Sequence, residues 1–149
     1  MFERFARAAR AAVTSAVEEA GRRGDRRVST DLLLIGVLHD PGIAREVGAG
    51  ADDARRAASQ LDRDALAAVG VEADAFGPLG RAAGAPRLPF TPGAKAVLRR
   101  TLALASADHA RRIEPTHLLH ALLERRAPDP AAELLAALRA EPGAPDRGR

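Results

Sequence analysis

The chain has no cysteine, no tryptophan and no tyrosine, and only four phenylalanines among 149 residues. Without cysteine, disulfides, thiolate metal sites and cysteine nucleophiles are excluded. Isoleucine is rare and no alternation of β-branched residues occurs, so strand signals are nearly lacking. No apolar run approaches the roughly 18 residues of a membrane span. The opening MFERFARAAR is charged from its third residue and leads into no secretory apolar region. The expectation is a soluble cytoplasmic protein with no membrane partner. Lysine is also nearly lacking: Lys95 is the single lysine among 23 basic residues. Arginine stays charged at any working pH, so the pI of 10.7 overstates a net charge of +3. The arginine doublets, such as Arg22-Arg23, Arg55-Arg56 and Arg111-Arg112, are spread evenly and interleaved with acids. No aromatic is placed beside them to stack on bases. Solvated helix faces explain these doublets, and no nucleic-acid partner is expected.

What the chain does contain is helix. Apolar residues make up 46% and charged residues 29%, the usual balance of a folded domain. Phe5, Ala9, Ala12, Val13, Ala16, Val17 and Ala20 recur at spacings of three and four, which predicts a helix over 3–23 ended by Gly21 and Gly24. Ser29 is placed to cap a second helix, with Asp31 in its first turn. That helix, Leu32 to Leu38, is apolar on nearly every side and should be central. Asp40-Pro41-Gly42 is expected to stop it. Further helices are expected at about 51–69, 91–109, 115–126 and 130–140, with a short one near 72–77. Residues 77–89, rich in glycine and proline, read as a linker. The tail from Glu141 is expected to be disordered.

A shift of 85 residues superposes the chain on itself. Phe5 falls on Phe90, Ala9 on Ala94, Arg10 on Lys95, Val28 on Ile113 and Leu33-Leu34 on Leu118-Leu119. No gap is needed over about 35 residues. The physical reading is two similar helical units whose apolar faces pack around a pseudo-twofold axis. The fold class is therefore all-α, with about seven helices in two pseudo-twofold related repeats. Residues 1–140 form one domain: repeat one at 1–76 and repeat two at 90–140.

These features resemble the N-terminal domain of the Clp ATPases, especially the ClpC-type unfoldases. Met1-Phe2-Glu3-Arg4-Phe5 matches the opening of that domain's first repeat, and Pro89-Phe90-Thr91-Pro92-Gly93-Ala94-Lys95 matches the opening of its second. Val28 to Leu38 and Ile113 to Leu123 match a helix common to both repeats. The resemblance covers residues 1–140. It implies a substrate-docking domain that does no chemistry of its own. Several departures stand out. The segment between the repeats is long, the second repeat ends without a final helix, and no phosphate loop of the G-x-x-x-x-G-K-[ST] type occurs in the chain. The expectation is a docking domain without its motor, not an enzyme, acting as a monomer.

The resemblance also implies sites. In ClpC-type domains the residues matching Phe2, Arg10, Phe90 and Lys95 line a groove between the first helices of the repeats, where cyclic peptide antibiotics of the cyclomarin type bind. Val13, Thr14, Leu98 and Leu102 would complete its wall. Arg99 departs, since the family usually has an acid there. Apolar anchors beside long cationic stems suit a hydrophobic peptide. Asp31 and Thr116 match two family glutamates that recognise phosphorylated arginine. A carboxylate pairs with guanidinium in a fork, but one acid is shortened and the other lost, and Asp31 is fully explained by the helix dipole. His117 and His120 stand three apart, yet no carboxylate completes a metal motif, and His117 matches a structural histidine of the family. The scattered serines lack the context of a hydrolase nucleophile. No cofactor and no metal are expected. Two functions compete: capture of a cyclic peptide antibiotic aimed at a full unfoldase, and modulation of proteolysis through substrates, adaptors or the Clp unfoldase itself.

Overall fold

Small residues set the closest packing of the fold. In α1 (Arg7–Arg23) the buried stripe is Ala9, Ala12, Val13, Ala16 and Ala20. Alanine keeps the helix surface shallow, so a second helix can approach closely. That helix is α2 (Thr30–Val37), a continuous buried run from Leu32 to Val37. Its Gly36 lies against the α1 backbone: a Cβ there would overlap the Ala12 carbonyl oxygen and lie 2.9 Å from Ala16 N. The structure, a computed structural model, describes residues 4–70 and 88–140. Within them the remaining helices are α3 (Pro41–Val47), α4 (Ala51–Ala68), α5 (Pro92–Ala107), α6 (Pro115–Leu123) and α7 (Pro130–Ala140). The short helix expected near 72–77, nearly all of the 77–89 linker, and the tail lie outside the described residues.

The helix ends follow ordinary capping chemistry, with two departures from expectation. Thr91 caps α5 by accepting from Ala94 N at 3.1 Å, with Pro92 in the first turn. Asp40 does not merely end α2. Its Oδ1 accepts from Gly42 N (2.9 Å) and Ile43 N (3.2 Å), and Pro41 starts α3. An aspartate followed by proline is a start signal as well as a stop, which the expected breaker missed. Ser29 makes no cap bond through its side chain. Its hydroxyl instead donates to the Asp31 carboxylate, a charged and stronger acceptor within its own turn.

The repeat is realised by strand-like exchange. Phe5 bridges Ile113, and Phe90 bridges Val28. Ala6 N donates to Ile113 O (2.9 Å) and Ile113 N to Arg4 O (2.9 Å); Thr91 N donates to Val28 O (3.0 Å) and Val28 N to Pro89 O (2.8 Å). These pairs map onto one another under the 85-residue shift, as a pseudo-twofold requires. Each unit thus anchors the start of its first helix on the strand-like turn of the other. The helix exits match too. Gly24 (φ 78°) and His109 (φ 55°) are both left-handed, and the amides after them reach back to Ala20 O and Ala105 O. At the centre α2 touches α1, α4, α5, α6 and α7. Phe5, Ile113, Leu118, Leu119 and Leu122 are fully buried beside it. Three polar ties lock the periphery. Glu19, almost fully buried, receives Arg22 Nη1 (2.7 Å) and Arg55 Nε (2.6 Å), fastening α4 to α1. Thr30 donates to Asp129 Oδ1 (2.7 Å) and accepts from Ala131 N (3.1 Å), fastening α2 to α7. Arg100 forks onto Glu124 across α5 and α6, at 2.7 and 3.1 Å.

Candidate functional site

The expected groove residues fall into two sets. Arg10, Thr14, Lys95 and Arg99 are exposed on α1 and α5, with Phe90 and Leu102 half-buried beside them. Val13 and Leu98 are buried, at 7% and 2% exposure, among the core residues of their helices. They form the floor beneath the surface and do not present a wall to a ligand. A helical stripe places all of these positions on related faces, but only packing decides which rim of the stripe stays wet. Phe2 lies outside the described residues. Phe5, by contrast, is fully buried and is a core residue. Arg10 and Lys95 occupy the same register: each is the fourth residue of its helix and donates its amide to the residue four earlier, Ala6 O and Thr91 O, both at 2.9 Å. The Arg10 guanidinium reaches the Phe5 carbonyl at 3.4 Å. The first helices meet the other unit through its second helix, α1 on α6 and α5 on α2.

Asp31 is occupied by its own chain. Arg23 Nη1 lies 3.0 Å from its Oδ2, and the Ser29 hydroxyl bonds its Oδ1. The same guanidinium reaches Asp25 Oδ2 at 2.7 Å. Burial works against the Arg23 charge, but the fields of Asp31 and Asp25 outweigh it and raise its pKa further. A cation is already seated where an incoming guanidinium would bind. Thr116, the counterpart in unit two, is exposed.

His117 and His120 face opposite environments. His117 is buried at 6% exposure. Its Nδ1 accepts from Glu114 N (2.9 Å), so Nε2 carries the proton and donates to Asp108 Oδ2 (3.1 Å). Nδ1 thus serves the start of α6, while Nε2 ties that turn to Asp108 at the end of α5. His120 is exposed, 3.8 Å from Glu46 Oε2. The two rings do not converge on one point. Among the described residues no group of three or more His, Cys, Asp and Glu side chains gathers to hold a metal ion.

Two clefts flank α4, away from the expected groove. One, of about 690 Å³, lies between α4 and the last turns of α7, with Ala57, Leu61, Ala137 and Ala140 as apolar lining and Arg56 and Arg63 beside them. The other, of about 410 Å³, lies between α4 and the end of α1, over Ile35, Ala58 and Glu19. Sequence reasoning missed both. The available signal was the apolar stripe of α4 running beside the Arg55-Arg56 doublet, which was read as a solvated face.

No protein-family model matches the chain. Among curated proteins it is similar to the chloroplastic chaperone protein ClpC1 of Oryza sativa subsp. japonica, 36% identical over 149 residues, covering 95% of this chain and 14% of that protein. It is equally similar to a chloroplastic ClpA homologue of Brassica napus, an ATP-dependent Clp protease ATP-binding subunit, at 36% identity, 95% of this chain and 15% of the relative. The chain thus spans about a seventh of the length of these relatives. Among solved structures it is similar to the N-terminal domain of the chaperone ClpD from Arabidopsis thaliana. The TM-score is 0.73 at 24% identity, covering 95% of this chain and 91% of that domain. No helix among the described residues is long and apolar enough to cross a membrane. The reciprocal bridges, the repeated helix pair and likeness along 95% of the sequence converge: the chain has the fold of a Clp N-terminal domain and is similar in sequence to Clp chaperones.

Proposed function

We propose that this domain docks peptide segments of protein substrates or adaptors and carries out no chemistry. The observation that supports it is the exposed pair Arg10 and Lys95, each the fourth residue of its helix, with half-buried Phe90 just before the start of α5. Aromatic surface with cations on flexible stems binds an apolar peptide and steers its carbonyls and carboxylates. The finer proposal is that the same face takes a cyclic peptide of the cyclomarin type, so that a free copy of the domain sequesters the antibiotic by mass action. A preorganised ring loses little entropy on binding and needs no deep cavity. The competing role is modulation of Clp proteolysis through substrate, adaptor or unfoldase.

Calorimetric titration of the purified chain with a cyclomarin-type peptide, and separately with a permanently unfolded protein, tests both. Phe90→Ala is expected to weaken cyclic-peptide binding by about 2 kcal/mol, the usual scale of an interface anchor. Arg99→Glu is expected to change it by less than about 1 kcal/mol, because the charge is exposed. If the parent chain does not bind the cyclic peptide, sequestration is wrong and the proteolytic role stands. If neither ligand binds, the docking reading itself is wrong.

A further inference from the structure

Helix α4 carries more apolar surface than is buried among the described residues. Its stripe of Ala54, Ala57, Ala58 and Leu61 recurs at helical spacing. Yet in this 18-residue helix only Ala51 and Ala54 are fully buried. Ala57, Ala58 and Leu61 are partly buried, and Val69, just past the helix, is 74% exposed. The open side of the stripe is the 690 Å³ cleft completed by Ala137 and Ala140 of α7. That volume is within the range of sites that hold several side chains of a ligand.

The charges around this cleft are unequal. Arg55, Arg56 and Arg63 line it, against one carboxylate, Asp64, which accepts from the Gln60 amide at 2.8 Å. Arg55 is committed to the buried Glu19. Arg56 pairs with Asp53 one turn back, and Arg63 donates to Gln60 Oε1 at 3.3 Å. Exposed pairs within one helix are worth little, so both guanidiniums are available for exchange onto a stronger partner.

We propose that the α4–α7 cleft is a docking site for an acidic amphipathic peptide segment of a partner protein. An aliphatic side chain would sit on the floor of Ala57, Leu61 and Ala137, and carboxylates would meet Arg56 and Arg63. The argument for this occupant is charge complementarity. A second copy of the chain would bring the same basic rim against itself. The chain's own residues 141–149, EPGAPDRGR, hold two acids and two arginines and no apolar side chain larger than proline to fill the floor. The site is separate from the α1–α5 face and shares with the function proposed above only the class of ligand.

The probe is a fluorescein-labelled peptide of alternating glutamate and leucine pairs, about four helical turns long, with a lysine–leucine counterpart of equal length. Fluorescence anisotropy with the full chain is expected to show binding of the acidic peptide and much weaker binding of the basic one. The double variant Arg56→Gln with Arg63→Glu is expected to weaken the acidic peptide about tenfold or more. Ala137→Trp, which fills the cleft without changing charge, is expected to do the same, while Phe90→Ala leaves the affinity unchanged. Circular dichroism melts confirm that each variant folds. Equal binding of the two peptides, no binding at all, or unchanged affinity in both cleft variants overturns the proposal. So does loss of binding in Phe90→Ala, which would move the peptide to the α1–α5 face. A dimer abolished by the double variant would give the cleft to a second copy, and a many-fold gain on truncation after Ala140 would give it to the chain's own tail. Either result also overturns it. Failure of the cyclic peptide together with success here would sink only the α1–α5 proposal.

Discussion

Replacing Gly36 with alanine would normally stabilise a helix, since glycine in a helix interior costs about 1 kcal/mol relative to alanine. Here the sign should reverse. The added Cβ would overlap the Ala12 carbonyl oxygen and approach Ala16 N to 2.9 Å and Ala16 Cβ to 3.1 Å. Two of these three neighbours are backbone, and no rotamer change relieves them. Helices α1 and α2 must part by roughly 0.5–1 Å, and a gap of that size forfeits a quarter to a half of each contact's attraction. The affected surface is the buried alanine stripe of α1 against a helix buried throughout. Overpacking of this kind costs about 1–3 kcal/mol, and the immovable backbone puts this site at the upper end. After the propensity gain is subtracted, a net loss of about 2 kcal/mol remains. In a domain of this size that lowers the melting temperature by roughly 4–8 °C. Gly21→Ala is the internal control. It lies in α1 with nothing within 4 Å of the added Cβ, so it should gain roughly 0.5–1 kcal/mol. Differential scanning calorimetry of the two variants decides the matter. A Gly36→Ala melting point equal to or above the parent would refute the close-packing account of α1 and α2.

Other outcomes follow from single contacts. Burial raises the pKa of the Asp129 carboxyl, but hydrogen bonds from Thr30, Arg125 and Ala131 N outweigh it and leave the folded value below the ordinary one. A depressed folded pKa gives stability that is present above the unfolded pKa of about 3.9 and is lost as pH falls through the folded value. Asp129→Asn should therefore flatten the acid limb of a urea-stability profile between about pH 4 and the folded pKa; an unchanged limb would count against the pairing. Thr30→Val removes both the donor to Asp129 and the acceptor of Ala131 N, and should cost about 1–3 kcal/mol in chemical denaturation. Phosphoarginine should bind weakly or not at all, because Arg23 already holds Asp31 and threonine stands at the second position. Two tight sites in an NMR titration would contradict this. Purified chain should show no steady-state ATP turnover, since it lacks a phosphate loop.

The sequence alone determined the helical class and the two-unit plan. Alanine and leucine at spacings of three and four mark helices wherever they lie, and one fixed shift of 85 residues marks the repeat. Phe5 pairs with Ile113 as its counterpart Phe90 pairs with Val28, because similar sequences build similar turns. The start of α3 was also legible, in Asp40 followed by Pro41, once aspartate is read as a cap. Tertiary structure decided the rest. Val13 and Leu98 share a stripe with exposed neighbours, and only the packing of α2 and α6 turned them into floor. Arg23 and Asp31 are eight residues apart across a turn, too far for a helical pairing rule, and their ion pair arises from the chain reversal between α1 and α2. Glu19 and Arg55, and Thr30 and Asp129, meet only because α4 and α7 return to α1 and α2. The clefts beside α4 exist for the same reason. Periodicity tells which face of a helix is apolar, but what covers that face depends on which distant helices return to it, and the last turns of α7 line the cleft beside Leu61.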